Sequence, residues 1–259
     1  METDALGTRM KEYEFVPRNY LLRRTPVIIR IDGKAFHTFT RGLNRPFDKT
    51  FQKCMVETVK YLCANVQNCV LGYTQSDEIT LVLLDDFKLN TSPYFDNQVE
   101  KICSITASMA TLAFNQAIYN ELESGFVEGD PSYDVWKQKL FKAQFDSRCF
   151  NVPNRTEVYN CLVWRQQDAI KNSITMLALS HFSNKQLHKK NGKEKITMLE
   201  EIGVRWNELD NIDKQGIIIK KVYYDKNGAL RSKWEEDVNT PVFTKDPDYI
   251  MKLLNKEGE

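Results

Sequence analysis

Residues 71–86 read LGYTQSDEITLVLLDD. Two short apolar runs, CVLGYTQ (69–75) and ITLVLL (79–84), flank the acids Asp77 and Glu78. Each run has strand length and composition, so together they read as a hairpin turning around Ser76–Glu78. Acids wedged between apolar runs are costly unless something compensates their charge. Toward the N-terminus, VIIRID (27–32) is a third strand, and it ends in another acid, Asp32. Between these strands Phe47, Phe51, Met55, Val59, Leu62 and Val66 recur at helical spacing, with Pro46 suited to a first turn. After the hairpin, Val99, Ile102, Ile105, Met109, Leu112 and Ala113 mark a second helix with Asp96 as its expected N-cap. A loop at 123–134 ends it, AQFDSRCFNV (143–152) reads as a strand, and Thr156 opens a long helix to about Ser183.

The order is β-α-β-β-α-β, an α+β chain with a ferredoxin-like sheet. In that topology the third strand lies between the first and second, antiparallel to both. Asp32 and Asp77–Glu78, about 45 residues apart, are therefore expected at one sheet edge. Farther on, NKQLHKKNGKEK (184–195) is basic and polar, and MLEEIGVRWNELD (198–210) reads as a short amphipathic helix. GIIIKKVYYDKNGALRSKWEEDV (216–238) reads as a hairpin about Asn227–Gly228. The expected division is a catalytic domain at 1–152 and a C-terminal helical and hairpin lobe at 153–259 packed on it.

The bulk numbers narrow the classes. Of 259 residues, 42% are hydrophobic and 27% charged, and the net charge is +1, so no global basic field draws nucleic acid. An RNA site must be a local patch, and Lys185, Lys189, Lys190, Lys193 and Lys195 are the densest one, or else a solvated face. No apolar run approaches the roughly 20 residues of a membrane span. The start, METDALGTRMKEYEF, has no apolar leader segment. Six cysteines without a C-x-x-C pair, with His37, His181 and His188 scattered, read as reduced thiols and argue against zinc. The cytoplasm is the expected compartment.

Paired acids on adjacent strand ends suit Mg²⁺, which takes hard oxygen ligands and serves phosphoryl transfer. Asp32 and Asp77 are the candidates, with Glu78 a neighbour that orders the site or ligates through water. The bland alternative is a solvated turn whose acids cap backbone N–H groups. The stretch DGKAFHTFTRGLNRPFD (32–48) adds Gly33, where a ligand can approach the backbone, and a run of N–H groups at 33–37 able to cradle a triphosphate. Arg45 and Lys101, each near a helix start, are cations that bind phosphate or are simply solvated. Arg165 and Asp168, three apart beside Trp164, can pair on one helix face.

RIDGKAFHTF (30–39), GYTQSDEITLVL (72–83), FDSRCFNVP (145–153), LVWRQQDAIKNSI (162–174) and WNELDNIDKQGIIIK (206–220) together resemble the tRNA-histidine guanylyltransferases and their bacterial and archaeal relatives, the reverse (3′→5′) RNA polymerases. The resemblance implies a polymerase-like palm. It implies that Asp32, the Gly33 carbonyl and Asp77 hold two Mg²⁺, with Glu78 an adjacent essential acid. It further implies a nucleotide loop of Gly33, Lys34, Ala35, Phe36 and His37, with Ser76 as a further contact, and a structural or tRNA-facing role around Trp164, Arg165 and Asn172. Family members activate a 5′-monophosphorylated tRNA with ATP. The 3′-hydroxyl of GTP or another NTP then attacks the activated end, and a 5′-triphosphate skips the first step. The expected partners are tRNA, ATP, GTP or other NTPs, and further copies of the chain in a homotetramer. The eukaryotic members carry a His-Ile-Asn-Asn-Leu-Tyr-Asn segment tied to the histidine anticodon; here IKNSITM (170–176) stands there, and Asn172 agrees best. That departure points to template-dependent repair of tRNA 5′ ends, with addition of G at position −1 of tRNA-His as the runner-up. Two competitors remain: a palm-type nucleotide cyclase, and an RNA-binding module. The second needs exposed aromatics on the central strands, and VIIRID and ITLVLL carry none.

Overall fold

The computed structural model describes residues 4–126 and 129–255. A first helix, α1 (Ala5–Phe15), precedes strand β1 (Val27–Gly33), a single turn α2 (Phe36–Phe39) and helix α3 (Lys49–Asn65). Strands β2 (Cys69–Gln75) and β3 (Glu78–Leu83) follow, then α4 (Val99–Ser124), α5 (Ser132–Lys137) and β4 (Phe145–Asn151). The remainder is α6 (Arg155–His181), α7 (Asn184–Leu187), α8 (Gly192–Glu201), α9 (Asn211–Gln215), strands β5 (Ile217–Lys226) and β6 (Ala229–Asp237), and α10 (Pro247–Asn255).

The strands form one sheet in the order β4-β1-β3-β2-β5-β6, antiparallel throughout. Its first four strands are the split βαβ arrangement that the sequence predicts, with β3 between β1 and β2. The C-terminal hairpin continues the same sheet, because β5 pairs with β2 from Leu71↔Lys220 to Thr74↔Ile217. Strands from both halves of the chain thus share one ladder. Ile29, Ile31 and Leu81 face a core under α3 and α4. Ile28, Leu71, Tyr73 and Val82 alternate to the other face, against α6 and α10. Every residue of β3 is buried, so the central strands offer no open platform for stacking bases.

Several boundaries differ from the pattern reading. Helix α3 starts at Lys49 rather than in the turn at Pro46, because Asp48 caps it and accepts the Phe51 N–H at 2.9 Å. Asp96 does not cap α4. It lies in a 3-10 turn, Tyr94–Asn97, with φ 51°, and pairs with Arg23, while Gln98 precedes the helix without a side-chain cap. Asn154, not Thr156, opens α6 by accepting the Glu157 N–H at 3.0 Å. The basic stretch 184–195 holds α7 and the start of α8, opened by capping boxes at Ser183 and Asn191 and joined by a turn, and 198–210 splits into the end of α8 and a 3-10 turn at Trp206–Glu208. Asp85 and Asp86, which close the apolar run of β3, are both engaged. Asp85 is buried and accepts the Arg24 N–H, and Asp86 holds Arg155 through two bonds of 2.8 and 2.9 Å. Residues 127 and 128 of the expected 123–134 loop lie outside the described residues.

Gly72 sets the distance between α3 and the sheet. A Cβ there would sit 2.5 Å from Val59 Cγ1 and 2.7 Å from Cys63 Sγ, so the helix rests on bare backbone. Gly72→Ala is expected to destabilise the chain by about 1–3 kcal/mol. Adding Val59→Ala should recover part of that loss in urea unfolding; an unchanged Gly72→Ala midpoint would contradict the packing.

Candidate active site at the β1–β3 sheet edge

The site begins with register. Asp32 pairs directly with Glu78 across β1 and β3, and with Asp146 across β1 and β4. Residues opposite each other share a face, so these three acids line one side of the edge, with Arg30 and Arg148 two residues inward. The hairpin turn is the two-residue link Ser76–Asp77, with Ser76 at φ 50°. It folds back onto β1, where the Gly33 N–H donates to the Asp77 carbonyl at 3.1 Å. Asp77 takes a further bond from the Ser76 hydroxyl at 3.0 Å.

The charges then separate into two groups. Glu78 is 7% exposed and gripped from both sides, by Arg30 at 2.9 Å and by Arg165 of α6 at 2.7 Å. Arg165 also binds Asp168 at 2.7 Å, and Arg148 binds Asp146 at 2.9 Å. Among the described residues neither Asp32 nor Asp77 forms an ion pair, and the nearby arginines are engaged by other acids. Burial raises the Asp77 carboxyl above its ordinary range, and repulsion from Asp32 and Glu78 adds to the rise. Two neighbouring carboxylates without an ion-pair partner, one of them desolvated, fit a divalent cation. Among the described residues no three His, Cys, Asp or Glu groups form a closed cage. That donor set suits Mg²⁺, which is held by one or two carboxylates and completes its shell with water and substrate phosphates.

The loop after β1 is placed from below. Phe36 is 3% exposed and stacks among Phe39, Phe51, Phe114 and Phe145. Its ring covers Gly33 so closely that a Cβ there would lie 2.3 Å from it. Phe36 therefore anchors the loop, and only its backbone is open to a ligand. Of the N–H groups at 33–37, that of Gly33 goes to Asp77 and that of Lys34 to the Gln144 carbonyl, leaving Ala35, Phe36 and His37. Ala35 takes φ 56° to begin α2, and the Lys34 ammonium binds Gln144 Oε1 at 3.0 Å. A cavity of about 380 Å³ opens beside this loop, and His37, Arg45, Ser76 and Asn172 are among the residues that line it.

Lys101 and the lysine cluster stand apart from the site, and Arg165 takes a different part in it. Lys101 opens α4, and α4 starts at the far edge: Cys103 lies against Cys149, and only at Thr111 does the helix reach Phe145 beside Gly33. Ten residues of helix put Lys101 about 15 Å from that level within its own chain. Arg165 is 5% exposed and fully engaged, so it holds Glu78 rather than facing RNA. Trp164 beside it is half exposed, stacked by the Arg165 guanidinium at 4.2 Å and by Arg30 at 5.2 Å. Lys185, Lys189 and Lys193 are exposed on α7, α8 and their link, Lys190 pairs with Glu194, and Lys195 binds the Thr175 hydroxyl. The cluster sits by the last turns of α6, roughly 20 Å beyond Arg165 along that helix. The Arg30–Glu78–Arg165 clamp is what the sequence reading missed. Its one signal was the Arg165–Asp168 spacing, which showed half of the network.

Two measurements follow from this geometry. Asp77 carries a raised carboxyl, so its ionisation above the ordinary carboxylate range opposes folding; below that range both states are protonated and the cost vanishes. Asp77→Asn should therefore melt higher than the parent at pH 7 and equally at acid pH, in buffer with chelator. A lower melting point at pH 7 would contradict it. Arg165→Ala leaves Glu78 buried with one guanidinium and should cost about 3 kcal/mol in chemical denaturation. Arg165→Lys should recover little of this, because one ammonium does not reproduce the two-sided grip on Glu78 and Asp168.

The family model described as "Thg1: tRNAHis guanylyltransferase" matches residues 7–153. A solved structure titled "Bacterial tRNA(HIS) Guanylyltransferase (Thg1)-Like Protein in complex with ATP" is 40% identical, with TM-score 0.82 over 98% of this chain and 100% of that one. One with the same title but GTP gives 40% identity and TM-score 0.80 over the same shares. An uncharacterized protein of Acanthamoeba polyphaga mimivirus is 30% identical over 240 residues, 84% of this chain and 77% of its own length. The family match, the sheet order and the paired acids coincide, and the chain belongs to the tRNAHis guanylyltransferase family of nucleotidyltransferases.

Proposed function

We propose that this enzyme adds nucleotides to the 5′ end of tRNA in the 3′→5′ direction, copying the opposite strand of the acceptor stem to restore missing residues. The observation that carries the reading is the uncompensated pair Asp32 and Asp77 beside the cavity of His37, Arg45 and Ser76. The 40% identity to bacterial-like structures bound to ATP and to GTP supports nucleoside triphosphates as substrates. Ile170, where the eukaryotic segment has histidine, supports repair over strict choice of tRNA-His.

In this reading Asp32, the Gly33 carbonyl and Asp77 hold two Mg²⁺. Bound there, the metal supplies positive charge to the phosphates and lowers the pKa of an attacking hydroxyl. The chain's own groups position and select. The free N–H groups of Ala35, Phe36 and His37 bind triphosphate oxygens, as converging backbone donors do. Ser76 fixes the Asp77 carboxylate, and Arg45 adds a cation at the cavity mouth. Glu78 reaches neither phosphate nor hydroxyl; it locks β1, β3 and α6 together so that Asp32 and Asp77 stay at one edge. The first step joins a 5′-monophosphate to the α-phosphorus of ATP and expels pyrophosphate. The second joins the 3′-oxygen of the incoming NTP to that 5′-phosphorus and expels AMP. The half-exposed Trp164 and the lysines at 185, 189 and 193 face the RNA. The enzyme works in the cytoplasm as an assembly of identical copies, and exposed apolar residues on α4 support self-association.

A tRNA lacking its first nucleotide, mixed with the protein, Mg²⁺ and labelled NTPs, should be extended at its 5′ end. The added base should follow the base opposite it. Asp32→Ala and Asp77→Ala should each lower the rate at least about 100-fold with the fold intact. No extension of either a 5′-mono- or a 5′-triphosphorylated end would defeat the reading. Faster addition to full-length tRNA-His would favour the G−1 reaction instead.

A further inference from the structure

The outward face of α4 is not the face of a helix that ends in water. Counting along its exposed stripe gives Lys101, Ile105, Ser108, Leu112, Gln116, Tyr119 and Glu123. The steps of three and four place them in one line on the helix. Leu112 is 61% exposed, Tyr119 42% and Ile105 39%, on a helix whose opposite side is fully packed against β4 and α3. The line is symmetric in spacing about Leu112, and it is also symmetric in chemistry. Equidistant from Leu112 stand Ser108 and Gln116, both polar; then Ile105 and Tyr119, both apolar; then Lys101 and Glu123, of opposite charge.

We infer that α4 is a two-fold interface, on which a second copy of this chain packs its own α4 antiparallel with the axis at Leu112. A two-fold contact is isologous: if residue i meets residue j, then j meets i. The stripe meets that condition at each position. Antiparallel packing sets Ile105 against Tyr119, Ser108 against Gln116, and Leu112 against itself. It closes both ends with Lys101–Glu123 ion pairs, one from each copy. Parallel packing would instead put Lys101 on Lys101 and Glu123 on Glu123, which repel. Among the described residues neither Lys101 nor Glu123 has an ionic partner within its own chain. The stripe runs about 33 Å, enough for a full helix–helix contact. A groove of about 440 Å³ between α3 and α4, lined in part by Tyr61 and Gln116, broadens the same surface. Lys101, which the fold keeps from the nucleotide site of its own chain, receives a function here as one half of a symmetric charge pair. The inference deepens the self-association proposed above by naming its surface, and rests on that part of the reading alone.

The test is the mass of the full chain in sedimentation equilibrium, without RNA or nucleotide, so that it stands apart from any failure of the nucleotide chemistry. The parent should sediment at an even multiple of 30.2 kDa. Leu112→Glu, with unchanged circular dichroism, should halve that multiple or leave a monomer. Lys101→Glu and Glu123→Lys should each weaken assembly about tenfold, and the double variant, which restores opposite charges, should regain the parent mass. In oxidant, Leu112→Cys should form a disulfide-linked dimer that neither the parent nor Ser108→Cys forms, because two copies of residue 108 would lie about 12 Å apart along the axis. A monomeric parent at tens of micromolar, a Leu112→Glu variant of parent mass, or a double variant no better than the single ones would each overturn the inference. Parent mass together with weakened tRNA binding in Leu112→Glu would overturn it in favour of an RNA-facing helix.

Discussion

The arrangement depends on a buried carboxylate held by two guanidinium groups. Glu78 is the first residue of β3, Arg30 belongs to β1 and Arg165 to α6, so one acid joins the two central strands to the helix above them. Removing such charges from water is expensive, and an apolar substitute of equal volume would often serve stability as well. The clamp does something that an apolar substitute would not. It fixes the Arg30 and Arg165 guanidiniums on Glu78, so that neither pairs with Asp32 or Asp77.

Topology decides which other groups reach that edge. In the split βαβ order β1 arrives at the edge and α3 departs from it, so the loop of Gly33–His37, Arg45 and the start of α3 all gather there. Strand β3 leaves the edge, and α4 begins where β3 ends, at the far side. The two helix starts that look alike in sequence, each with a nearby cation, therefore lie at opposite ends of the sheet. Arg45 lines the cavity and Lys101 does not. Helix α6 then crosses from Asp86 at the far edge, past Glu78, to the cavity wall at Asn172 and on to the lysine-bearing α7 and α8.

The sheet was readable because short apolar, β-branched runs bounded by turn residues mark β1, β2 and β3, and the β-α-β-β-α-β order then fixes which ends meet. The meeting of Asp32 with Asp77–Glu78 at one edge follows from that order, while the pairing of Asp32 with Glu78 is set by the register. Helix starts were read less well. Asp96 has the right type and place for a cap, but the positive φ values of Phe95, Asp96 and Asn97 turn it toward Arg23. Asn97 bonds to Leu22 across the chain and holds that turn. Long-range polar partners were the least visible, since a periodic pattern carries no record of them. Arg165 looks like a helix-surface charge paired with Asp168 until the fold brings Glu78, 87 positions away, to 2.7 Å. The lysine-rich segment read only as basic and polar, because its charge hides the two capping boxes that start its helices.

The three-layer build also limits where this protein can meet anything large. With both faces of the central strands buried, what remains besides the strand ends is the exposed outer part of the β5–β6 hairpin and the outer sides of the two helix layers. Those two outer layers differ in character. The α6 layer carries the half-exposed Trp164 and the lysines of α7 and α8, flanks the cavity, and suits a polyanion. The α4 layer carries apolar residues spaced symmetrically about Leu112, with a cation at one end and an anion at the other. A polyanion gains little from that pattern, while a second copy of the same helix matches it at every position. Self-association through α4 would therefore leave the α6 layer of each copy open, and the RNA-facing side would not compete with assembly for the same surface.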